Sequence, residues 1–186
     1  MQKKSVKKAA SQFRNKIKNI RLDLPFDLGE TNVVLTEKER LASWALFVEM
    51  STRISTQAID KNSSSVREAL ASLHQLFGIT RAVLKDAGPE IGQGPESLGP
   101  IAIKILNDGL RPFLSRWHAD YRAYEVVQAF DAAKKYGLAN PPIELVDQAD
   151  WPALKAFYKE LEATRKELRK YVNMLAMISG VQPLSE

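Results

Sequence analysis

The chain has 186 residues, 45% of them apolar and 26% charged, which fits one ordinary globular domain able to bury a core without staples. It has no cysteine, which excludes disulfides, thiolate zinc sites and thiol nucleophiles and fits a reducing, cytoplasmic setting. The net charge of +5 is unevenly placed: eight cations precede the first acid, Asp23, and the remaining 19 face 22 acids, so the front carries the whole positive excess.

No apolar run approaches the ~18 residues that span a bilayer. The start also lacks the unbroken apolar stretch of a secretory signal, so the front is expected to be part of the working protein.

In that front, Lys3, Lys4, Lys7, Lys8, Arg14, Lys16, Lys18 and Arg21 surround an apolar seam of Val6, Ala10, Phe13, Ile17, Ile20 and Leu24. Alternating steps of four and three predict an amphipathic helix. Toward its end Ile20, Leu22, Leu24 and Phe26 alternate, and TNVVLT follows a glycine-containing turn. A short β-hairpin near residues 19–35 therefore competes with the helix, and Pro25 ends the helix in either case.

Thr36 and Glu39 form a capping box that opens a helix running to about Ile59. Leu41, Trp44, Phe47, Val48, Met50 and Ile54 cover so much of its circumference that burial on several sides is expected. Ser65 and Glu68 open the next helix, whose apolar face is Val66, Leu70, Leu73, Phe77 and Leu84, and Gly88-Pro89 stops it.

A glycine-rich linker, GPEIGQGPESLGP, leads to a helix from near Pro100 with Ile103, Leu106, Leu110, Phe113, Trp117 and Tyr121 on one side. Pro112, three residues after Gly109, predicts a kink. Helical sequence continues to Gly137. Asp150 is expected to cap the last helix, where Leu154, Phe157, Leu161, Thr164, Leu168, Tyr171 and Leu175 make a narrow seam ending at Gly180.

The predicted fold is all-α, an antiparallel four-helix bundle with a basic amphipathic N-terminal arm. Its regions are the arm and hairpin (1–35), the helical bundle (36–180) and a tail (181–186).

Catalytic signatures are sparse. His74 and His118 stand in no helical metal-ligand spacing, and no phosphate-binding glycine loop or nucleophile elbow occurs. A non-enzymatic protein with neither metal nor cofactor is expected. Trp44, Trp117 and Trp151 read as core anchors.

The histidines belong to two basic stripes. Arg67, His74 and Arg81 recur every seven residues, with Lys85 next on the same face. Lys104, Arg111 and His118 repeat the spacing, and Arg122 follows. Each stripe flanks its helix's apolar face, turned in the same sense. On antiparallel neighbours they either converge as an anion groove or form ordinary solvated borders.

The arm can serve protein docking, phosphate contact or an anionic membrane surface. Its seam of Phe13, Ile17 and Ile20 is thin for a membrane anchor, and it lacks the interleaved aromatics that stack bases. The expected function is therefore an adaptor or accessory subunit docking on a larger protein or nucleoprotein through this arm. Sequence-independent nucleic-acid binding comes second and membrane contact third. The last helix's seam also leaves a homo-oligomer open.

Overall fold

The computed structural model describes residues 19–52, 65–139 and 146–184. Seven of the arm's eight cations, with Phe13 and Ile17, lie outside the described residues.

Asn19–Asp23 (β1) and Glu30–Val34 (β2) pair antiparallel, with Asn19 opposite Val34 and Asp23 opposite Glu30. Strand geometry wins over the helical reading of Ile20 to Leu24 because period two gathers Ile20, Leu22, Thr31 and Val33 on one face. Leu22 and Val33 there are buried in the core. Ile20, expected in the arm's helical seam, is instead strand residue and partly buried against that core. Arg21, expected as a partner contact, is exposed and ion-paired with Glu30 across the hairpin. Phe26 and Asp27 take positive φ in the turn, and the Leu24 N–H closes it by donating to the Gly29 carbonyl. The Phe26 N–H donates to Glu167 at 2.6 Å, which ties the turn to the last helix.

The rest is helical: Glu37–Ser51 (α1), Val66–Ala87 (α2), Leu98–Lys104 (α3), Arg111–Tyr136 (α4) and Leu154–Ser179 (α5). α1 packs on α2 and α5, α2 on α4, and α4 on α5. Thr36 and Ser65 cap α1 and α2 as their sequences require, accepting from the Glu39 and Glu68 N–H groups. Glu39 does not close the expected capping box, because the Thr36 N–H donates to the Val34 carbonyl instead. Its carboxylate is buried and accepts from the Leu98 N–H at 3.1 Å, holding the start of α3 against α1.

The glycine-rich link is pinned to the body. Pro89–Gly92 forms a 3-10 turn whose Ile91 is buried, and Gly99 lies so close that a Cβ there would stand 2.9 Å from the Ile91 carbonyl oxygen. Between α3 and α4, Ile105–Leu110 is a π-helical stretch, with the Arg111 N–H reaching back five residues to Leu106. The widened turn falls directly before Pro112, which offers no N–H and crowds the carbonyl four residues earlier. It also presents Gly109 to Phe26, whose ring occupies the place of a side chain.

The core's aromatic centre is Trp117, set edge-on to Trp151 at 5.6 Å and to Phe157 at 5.5 Å, with its Nε1 donating to Glu160 at 2.9 Å. The α5 seam is buried from Phe157 through Leu175 by the chain's own elements.

Three further expectations need correction. Asp150 does not cap α5; it lies in the 3-10 turn Gln148–Asp150, which Asp147 caps through the Ala149 N–H, and α5 begins at Leu154 with no side-chain cap. α1 is not buried all round. Ala42, Ser43, Leu46 and Met50 face inward, while Leu41, Trp44 and Val48 are exposed, Trp44 by 47%. Only Trp117 and Trp151 are core anchors; Trp44 stacks on Phe47 at the surface.

A candidate anion groove between α2 and α4

The two basic stripes converge. His74 on α2 and His118 on α4 face one another with ring centroids 5.9 Å apart. Residues of α2 meet progressively earlier residues of the partner run: His74 with His118, Phe77 with Arg111, and Leu84 and Lys85 with Ile103 and Asn107. The run from α3 through α4 is therefore antiparallel to α2.

Two adjoining hollows lie along this line. The first, of about 330 Å³, is lined by His74, Phe77, Arg81, Arg111, Leu114, Ser115 and His118. The second, of about 390 Å³, shares Phe77, Arg81 and Arg111 and extends to Leu84, Lys85, Ile103 and Leu106. Of the eight residues that sequence spacing assigned to a groove, these hollows gather His74, Arg81, Lys85, Arg111 and His118.

The other three do not line them, and two are held by ion pairs. Arg67 turns to Glu125, a buried carboxylate that accepts from its Nε at 3.1 Å and its Nη2 at 2.6 Å. Lys104 pairs along its own helical run with Asp108 at 3.1 Å. Arg122 is exposed and lines neither hollow.

Arg111 is held in place from two sides. Its Nε and Nη2 donate to Asn107 Oδ1 at 3.2 and 2.8 Å, and its guanidinium lies 4.9 Å above the Phe77 ring. Both partners are uncharged, so they orient the cation without neutralising it. Among the described residues no carboxylate lines either hollow, and Arg81, Lys85, His74 and His118 have no ion-pair partner. Three permanent cations and two imidazoles, all solvent-exposed, thus share a groove with partly apolar walls, an arrangement that can attract an anion.

Asn107 and Phe77, which position Arg111, were missed as site residues from sequence. The spacing of four between Asn107 and Arg111 was the available signal. No three His, Asp or Glu residues cluster as a metal site among the described residues. Against protein-family models, curated proteins and solved structures, the chain gives no match.

Proposed function

We propose that this chain is a non-catalytic adaptor or accessory subunit that docks on a larger partner carrying negative charge. The observation behind this reading is the groove, in which Arg81, Lys85 and Arg111 meet His74 and His118 with no carboxylate among the described residues of its lining. All five basic side chains of this concavity are solvent-exposed, so it attracts a partner that supplies anions through a salt-screened field. The arm, with Lys3, Lys4, Lys7, Lys8, Arg14, Lys16 and Lys18 before the first acid, gives the same partner a second, longer-range attraction.

The body that carries both is read as an antiparallel four-helix bundle. The closed cycle of packing from α1 to α2, α4, α5 and back to α1 supports that description. No described helix is long and apolar enough to cross a membrane, and a cytoplasmic setting belongs to the same reading.

The test is co-purification from the native host. A stoichiometric complex should be recovered, lost on deleting residues 1–18, which spares β1 and its buried Leu22, and weakened at least tenfold by Arg81→Glu with Arg111→Glu. Recovery of the free chain alone would contradict the reading. Sequence-independent binding to a phosphate backbone is the second reading, favoured by the density of cations in the arm. It requires retention on random duplex or single strands that weakens steeply as salt rises.

A further inference from the structure

The groove has two chemically different ends. Around His74 and His118 its lining is cationic and polar, with Arg81, Arg111 and Ser115 over a floor of Phe77 and Leu114. Toward Lys85 it turns aliphatic, with Leu84, Ile103 and Leu106, and Arg81 and Arg111 are common to both ends. Ile103 is 51% exposed at this second end. An inorganic anion would satisfy the first end and leave the second wet.

Dimensions narrow the occupant. His74 and Lys85 are eleven residues apart on one helix, about 16 Å of rise. An extended peptide covers that span in about five residues.

A nucleic-acid strand fits less well. Its charges recur along the whole track and its bases need free aromatic faces. The exposed His74 and His118 imidazoles offer stacking faces at one end only. Beyond them the ring of Phe77 is already covered on one face by the Arg111 guanidinium, and the other apolar walls of the second hollow are aliphatic.

We propose that the groove holds a short extended segment of a partner protein, with one anionic side chain at the histidine end and an aliphatic side chain about three to five residues away at the Ile103 end. The anion is a phosphoserine or a carboxylate, which share the chemistry that Arg81 and Arg111 recognise. The inference rests on the adaptor reading above and specifies what the groove takes from the partner.

Two oriented peptide libraries test it, one with a fixed phosphoserine and one with a fixed glutamate, each with five randomised positions on both sides. The immobilised full chain should retain at least one library and enrich aliphatic residues at least threefold at a position about three to five residues from the anion. The library retained more strongly identifies the anion. Arg81→Glu with Arg111→Glu should cut retention at least tenfold. Ile103→Ser, a change at an exposed position, should abolish the aliphatic preference while anion dependence remains.

Absence of aliphatic enrichment in both libraries, or enrichment that survives Ile103→Ser, overturns the inference. So does a random single-stranded oligonucleotide that is held more tightly and is released by the same arginine changes. Should the native complex depend on Arg81 and Arg111 while neither library is selected, the adaptor reading stands and the peptide inference falls.

Discussion

His74 and His118 lie on different helices, 44 positions apart in sequence, and their rings lie 5.9 Å apart across a groove that no carboxylate of the described residues lines. Everything on that face follows from the antiparallel pairing of α2 with α4, which stacks one basic stripe against the other. If the groove accepts anions, inorganic phosphate should stabilise the fold by mass action. At 20 mM phosphate and constant ionic strength, a millimolar affinity raises Tm by roughly 3–6 °C. Phosphate also strengthens burial in general, so the diagnostic quantity is the difference from Arg81→Gln/Arg111→Gln. Differential scanning calorimetry should show that difference shrink to nothing when chloride replaces phosphate.

Glu39 gives the fold a pH dependence of its own. Burial pushes its carboxyl from 4.5 up to about 7, against the Leu98 N–H that favours the charged form. The folded state then keeps a proton that the unfolded chain has released, so this contribution is present below pH 4.5 and lost as pH rises through 7. Glu39→Gln retains an oxygen for the Leu98 N–H and carries no charge. It should match the parent chain in urea unfolding near pH 4.5 and exceed it by on the order of 2 kcal/mol at pH 8. A constant difference across that range would contradict the assignment.

Gly109 and Phe26 test how the hairpin turn is seated. A Cβ at Gly109 would overlap the Phe26 ring. Gly109→Ala should therefore cost about 1–3 kcal/mol in denaturant unfolding. Phe26→Leu in the same chain should recover part of that loss, since the smaller side chain frees the space. Additive costs for the two changes would show that they do not touch.

Arg67 is the groove candidate that became a structural residue, and it should behave as one. Arg67→Ala leaves Glu125 buried without its guanidinium partner and should destabilise by about 1–3 kcal/mol. Arg67→Ala/Glu125→Gln should be closer to the parent chain than the single change. Neither variant should alter phosphate binding, which separates Arg67 from Arg81 and Arg111.

The periodic parts of this chain are legible in its sequence, and the long-range pairings are not. The α5 seam, both capping serine and threonine residues, the helix-ending Gly137 and Gly180, and the hairpin follow from local chemistry. The seven-residue spacing of the stripes located the flank of each helix that faces the groove. It could not say which cations would stay there. Arg67 left because Glu125, 58 positions away, is buried beside it. The exposure of Leu41, Trp44 and Val48 was hidden for a similar reason, since α1 meets α2 and α5 on one side only and its apolar circumference does not record which side. Glu39 shows the opposite error, a residue fully explained by a local cap that in fact holds another helix.

The central claim is that the α2–α4 groove is an anion site, and a 15N-edited NMR titration of the full chain with inorganic phosphate at fixed ionic strength tests it most directly. Saturable shifts should appear together at the His74 and His118 ring nitrogens and the Arg81 and Arg111 Nε groups, and vanish in Arg81→Gln/Arg111→Gln. Shifts that rise linearly without saturation, or that leave these four side chains unmoved, would contradict it.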